Sequence, residues 1–351
     1  MIWPARRLAD VQVVGVAARD PVRAEAYARR HGYVALPNGL HGEWAAAALR
    51  AGKHVLCEKP FTANAQEARH VMGIARSSGL VCREAFHNSE HPANKRVAEL
   101  LQASRRTKGT VVARIAERTP QQGPLARGGA IGELLSLTAR VLIPSWAFKE
   151  GDIRFNEGLA GGTMMDAGCY CADALSFFPG FPPTAVTSAA AKGVLHGCDT
   201  GMEARVAYGG KGGGAGQLVG RIEADLRHGG LLPVTLITAE GTRGRLTYDN
   251  FVVPFFGHQI TLALAPDRGG QPPETRRMSV YGSGESNYYY QLRRFTDDVV
   301  ALRGGTGARA LAEVEASLQK DAADAIANME LVEAIYTAAG LRPRQPTHAW
   351  F

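Results

Sequence analysis

Lys59 is the lysine of this chain whose setting suits chemistry. It lies near the end of the run Ala51-Gly52-Lys53-His54-Val55-Leu56-Cys57-Glu58-Lys59-Pro60. A helical pattern over residues 43–50 stops at Gly52, a good C-cap residue, and the apolar stretch 54–57 has strand length. Lys59 therefore falls at a strand's carboxyl end. Ligands of open parallel α/β sheets bind along that edge, and Pro60 biases Lys59 toward an extended backbone that aims its side chain off the strand. A lysine so placed can act as a charge beside a titrating group, or as a base. The competing reading is a solvated loop lysine.

The elements that must position it alternate. Residues 11–18 read as a strand, 22–30 as a helix stopped by Gly32, and 33–36 as a short strand before the turn Pro37-Asn38-Gly39. A helix through Trp44 and Leu49 leads to the Lys59 strand. Helix 64–77, strand 80–86 and helix 92–101 follow. This is the signature of βαβ units around a parallel sheet. After Arg105-Arg106-Thr107-Lys108-Gly109 the texture changes. Residues 111–116 read as a strand, 161–178 contain a helix, and 184–261 alternate short β-like runs with glycine-rich turns. Helices over 289–302 and 311–339 close the chain, the second broken or bent. The predicted fold is thus α/β plus α+β. Residues 1–105 form an incomplete Rossmann-type parallel-sheet domain, residues 106–340 an α+β domain with a mainly antiparallel open sheet, and 341–351 a tail.

Composition narrows the function. With 351 residues, 45% of them hydrophobic, the chain can bury two ordinary cores. It has no apolar run of about 18 residues and no apolar signal core at its start, so a cytoplasmic protein without membrane contact is expected. Five cysteines without a Cys-x-x-Cys pair argue for free structural thiols, with no metal site. The net charge of +7 is scattered, which disfavours nucleic acid and mildly favours an anionic cofactor. Two glycine stretches fail as phosphate loops. Lys211 is followed by Gly212, not Ser or Thr, and Gly305-Thr306-Gly307-Ala308-Arg309-Ala310 follows a helix, not a strand.

Three separated stretches share one resemblance: Val16-Ala17-Ala18-Arg19-Asp20 with Arg23; Leu36-Pro37-Asn38-Gly39-Leu40-His41 continuing to Glu58-Lys59-Pro60; and Gly161-Gly162-Thr163-Met164-Met165-Asp166-Ala167-Gly168-Cys169-Tyr170. The chain resembles the Gfo/Idh/MocA oxidoreductases, and within them the dimeric dihydrodiol dehydrogenase and NADP-dependent D-xylose 1-dehydrogenase branch. That branch has tyrosine, as at Tyr170, where inositol dehydrogenases have histidine. The resemblance implies a Rossmann domain, an α+β domain whose open sheet makes a homodimer, and hydride transfer between NADP and a hydroxyl-bearing carbon of a sugar or diol.

It also implies the site. Oxidising an alcohol requires a group of suitable pKa on the hydroxyl. Tyr170 titrates near about 10 when unperturbed, and a neighbouring Lys59 ammonium would favour its phenolate. Lys59 could equally be the base if its own pKa were depressed, and the sequence leaves both open. Asp166, four residues before Tyr170 on one helix face, is expected to hold a substrate hydroxyl and orient Lys59 or Tyr170; it could instead cap the helix. At the end of the first strand Ala18, Arg19 and Arg23 replace the acidic residue of NAD-preferring sites, and arginine's fork suits the 2′-phosphate of NADP. Leu36, Pro37, Asn38, His41, Glu58, Lys59, Glu84 and His87 are expected along the cofactor edge. Trp146, Arg154 and Phe155 are expected to meet the substrate.

The chain departs from the family pattern in two places. The glycine-rich pyrophosphate turn would fall upstream of Ile2, and about twenty residues, one α/β repeat, would fall at His31-Gly32-Tyr33. These departures motivate an alternative: a catalytically impaired relative acting as a dimerising or sugar-sensing module.

Overall fold

The computed structural model describes residues 2–12, 36–102, 129–209, 218–266, 272–304 and 311–350. The expected strand over 111–116, most of that over 11–18, the helix over 22–30, the His31-Gly32-Tyr33 junction and the cofactor residues Ala18, Arg19 and Arg23 lie outside the described residues.

The N-terminal part is a small parallel unit. Helix α1 (Ile2–Arg6) precedes α2 (His41–Arg50), β1 (Val55–Cys57), α3 (Ala65–Ser78), β2 (Cys82–Glu84) and α4 (Pro92–Gln102). Strands β1 and β2 pair in parallel, Val55 opposite Cys82 and Cys57 opposite Glu84. Helix α3 starts where the Asn64 side chain accepts the Glu67 N–H at 2.9 Å. It stops at Gly79, whose φ of 63° is costly for any residue with a Cβ.

The C-terminal part is built on eight strands in the order β10-β9-β8-β7-β3-β6-β5-β4. These are β3 (Leu134–Pro144), β4 (Ala185–Leu195), β5 (Cys198–Ala207), β6 (Val219–His228), β7 (Val234–Gly241), β8 (Gly244–Asp249), β9 (Ile260–Leu264) and β10 (Glu274–Met278). All pairings are antiparallel except β3 with β6. The alternation of Leu137, Ala139 and Val141 with Thr138 and Arg140 is that of a sheet with one buried face. Helices α5 (Cys169–Phe177) and α7 (Leu311–Ala338) cover that face. Helix α6 (Asn287–Leu302) lies against α1 and α7.

Two expectations change. Helix α7, read as broken or bent, is continuous over 28 residues. The residues after Gly340, read as a tail, return to the N-terminal unit: Thr347 N–H donates to Gly39 O at 2.9 Å and the Trp350 indole to Glu67 at 2.5 Å. No helix among the described residues is long and apolar enough to cross a membrane.

Candidate functional site

The turn after β1 is held at several points. The Phe61 N–H donates to Glu84 Oε1 at 2.8 Å, and His41 Nδ1 lies 2.8 Å from Pro60 O. The Lys59–Pro60 peptide bond is cis. Lys59 then reaches across to a residue 107 positions away. Its Nζ donates to the Asp166 carbonyl at 2.9 Å and to Asp166 Oδ1 at 3.1 Å.

Asp166 sits in a π-helical turn, Met164–Gly168, that runs into α5. The turn is capped from elsewhere, because Asp199 Oδ2 accepts the Met164 N–H at 2.8 Å. Asp199 is itself held by Tyr336 Oη at 2.8 Å and Arg344 Nη2 at 3.2 Å, while Arg344 Nε donates to Gly161 O at 2.6 Å. A Cβ on Gly162 would stand 2.2 Å from Asp199 Oδ1, and its φ is 127°, so only glycine lets the chain enter this turn. The second oxygen of Asp166 accepts Arg154 Nε at 2.8 Å. Arg154 also bonds Asp152 at 3.0 Å and lies over the Phe148 ring at 4.2 Å. Tyr170, one turn further on, has its ring 5.0 Å from Lys59 Nζ and its hydroxyl 3.0 Å from His87 Nε2.

These contacts set the charges. Burial works against the Lys59 ammonium, but the Asp166 carboxylate, helped by Tyr170 and Cys169, outweighs it and holds its pKa above the usual lysine range. Burial likewise disfavours the Asp166 carboxylate, and Lys59 and Arg154 overcome it, so its pKa is lowered. Burial pushes the Tyr170 phenol well above its ordinary value, and Lys59 offsets only part of that. His87 is pushed down to about 3, first by burial and then by Lys59, so its imidazole is neutral. The protein alone therefore holds an ammonium, a carboxylate, a phenol and a neutral imidazole side by side.

Residues 31–86 match the family described as "Oxidoreductase family, NAD-binding Rossmann fold", and residues 124–247 match the GFO/IDH/MocA C-terminal domain. A dTDP-3,4-didehydro-2,6-dideoxy-alpha-D-glucose 3-reductase of Streptomyces violaceoruber is 30% identical over 309 residues, which cover 88% of this chain and 77% of the relative. The chain belongs to the Gfo/Idh/MocA oxidoreductase family. D-xylose 1-dehydrogenase (NADP(+)) 2 of Haloferax volcanii is 32% identical over 52% of this chain and 54% of its own length. The trans-1,2-dihydrobenzene-1,2-diol dehydrogenase of Xenopus tropicalis is 27% identical over 58% and 59%. The chain spans about half the length of the first curated relatives it matches. Among solved structures, KijD10, a 3-ketoreductase from Actinomadura kijaniata in complex with NADP and TDP-benzene, superposes with a TM-score of 0.70 at 22% identity over 96% of this chain and 92% of its own, a likeness of fold.

The Gfo/Idh/MocA architecture agrees with the fold class read from the sequence. Of the predicted site residues, the structure brings together Lys59, Asp166, Tyr170, Arg154 and His87. The others make contacts of their own. Each Asp166 oxygen accepts one hydrogen bond, Oδ1 from Lys59 and Oδ2 from Arg154, which leaves acceptor capacity on both; the Met164 N–H at the start of the turn is met by Asp199, not by Asp166. Glu84 and His41 are spent on backbone groups of the Lys59 turn, and His41 also meets Leu36 O at 3.1 Å. Asn38 donates to Ala160 O at 3.1 Å, Pro37 O accepts the Leu40 N–H at 2.9 Å, and Glu58 takes the Lys59 N–H at 3.3 Å. Phe155 is a core residue, 2% exposed, with the Arg227 guanidinium over its ring at 5.7 Å, so it cannot present its ring to a substrate. Trp146 is exposed and donates to Leu231 O at 3.3 Å. Asp152, Phe148, Asp199 and Arg344 carry no signal in the sequence: the first two act only through Arg154, and the last two through partners far along the chain.

Proposed function

We propose that this chain is an NADP-dependent oxidoreductase that moves a hydride to or from a hydroxyl-bearing carbon of an aldose, in the manner of D-xylose to its 1,5-lactone, or of a trans-dihydrodiol. The observation that carries this reading is the Lys59 ammonium held by Asp166 beside the Tyr170 ring. The nicotinamide end of a dinucleotide fits the described residues. Two parallel strands end side by side, the Ala85 N–H donating to Cys57 O at 2.7 Å, and a cation stands on that edge. Lys59, Glu58 and Asn38 would hold that end, and Arg19 and Arg23 the 2′-phosphate. When bound, the cofactor supplies or accepts the hydride.

The chain's own residues handle the proton. Lys59 is held charged, so it serves as a fixed positive charge for a developing alkoxide, and Tyr170 is the group that exchanges a proton with the substrate oxygen. A phenol kept protonated by burial is present in the acid form from which reduction of a keto sugar draws its proton. Oxidation needs the phenolate and gains as pH rises. The sugar-nucleotide 3-reductase that matches over most of its length favours a keto sugar as a second substrate class. A silent dimerising or sugar-sensing module has no need of so complete a cluster.

Titration of NADPH by its fluorescence, followed by turnover with D-xylose and with a keto sugar, tests the proposal. Saturable binding with turnover is expected. A flat titration by folded protein would overturn it.

A further inference from the structure

We propose that His87 is a positioning residue for Tyr170: its Nε2–H donates to the phenolic oxygen, leaving the phenol's own hydrogen for the substrate. The inference rests on the reading of Tyr170 as the proton-handling group. His87 and Tyr170 are 4% and 7% exposed, and Nε2 and the phenolic oxygen are 3.0 Å apart. His87 Nδ1 is buried with no hydrogen-bond partner among the described residues, and the Tyr288 ring lies against the imidazole at 4.5 Å.

A neutral imidazole carries one N–H. Placed on Nδ1, that hydrogen would be a buried donor without an acceptor, a rarer and costlier fault than a bare acceptor nitrogen. Placed on Nε2, it meets the phenolic oxygen. The phenol can then only accept from His87, and its own hydrogen is left for another acceptor. That geometry suits both halves of the cycle, because the phenol donates to a forming alkoxide and the resulting phenolate keeps a hydrogen bond from His87 beside the Lys59 ammonium. His87 was expected along the cofactor edge; its contacts are with Tyr170.

Two measurements test this. In full-length protein labelled with ¹⁵N-histidine, the His87 ring signals, assigned by their loss in His87→Gln, are expected to show a protonated Nε2 and a bare Nδ1 at neutral pH. A proton on Nδ1 overturns the proposal, and this readout stands even if the protein shows no turnover, in which case the functional reading fails by itself. In turnover assays, His87→Leu is expected to lower kcat by about tenfold or more with KM within about twofold, and His87→Gln, which keeps an N–H donor, to recover most of the loss. A change confined to KM, or a Gln variant no better than Leu, contradicts it. Should His87→Leu fail to fold, the ring signals of the unaltered protein decide.

Discussion

Asp166 sets the charge that Lys59 carries. Its carboxylate is the main group that keeps Lys59 charged despite burial, so Asp166→Asn should remove most of what opposes burial and lower the lysine's pKa. Turnover is expected to fall by on the order of a hundredfold and to be lost as pH rises through the lowered value, a limb that a kcat against pH profile would reveal. A second carboxyl gives a stability test. Burial, and then Asp324, push Asp173 up to about 7. Its carboxyl is better protonated when folded, so stability should decline as pH climbs from the ordinary aspartate range near about 4 through about 7, and stay low above it. Asp173→Asn should raise Tm at alkaline pH and flatten that decline in thermal melts. At this scale Lys59 was legible, because a glycine stop, an apolar strand and a proline fix where it sits. Phe155 was not: an aromatic beside Arg154 reads the same in sequence whether its ring faces a cleft or the core.

The π-helical turn at Met164–Gly168 is the element on which the site depends. It is pinned by Asp199, whose carboxylate is fully buried and satisfied by Tyr336, Arg344 and the Met164 N–H. Removing Arg344 leaves that charge with fewer partners, so Arg344→Met should cost about 3 to 5 kcal/mol in denaturant unfolding and weaken turnover as the turn loosens. The glycines of this turn could be read as an unusual backbone, but its clamp could not, since Asp199 and Arg344 are 145 positions apart. Helix α7 hid its continuity for a related reason. It packs on α3, α5, β2 and β4, so its apolar residues fall on several faces and the simple 3.6-residue pattern is blurred. The ends of β1 at Cys57 and β2 at Glu84 were read within two residues of where they lie, because both strands are short and sit between clear helix signals.

At the scale of the molecule, the outward face of the large sheet carries a row of threonines across four neighbouring strands: Thr138, Thr238, Thr247 and Thr261 in register. We propose this face as the homodimer contact. Sedimentation equilibrium should give twice the chain mass, and Thr238→Arg should return a folded monomer; a monomeric parent protein would contradict the contact. The same sheet supports α5 on its other face, and with it Tyr170, while the small parallel unit supplies Lys59. The proposed function therefore depends on the two halves meeting at one point. The most direct test is a double-mutant cycle on turnover with Lys59→Met, Tyr170→Phe and the pair. If the ammonium and the phenol act as one unit, the double variant is no slower than the slower single variant. Losses that multiply, or a single variant with unaltered turnover, would contradict the account.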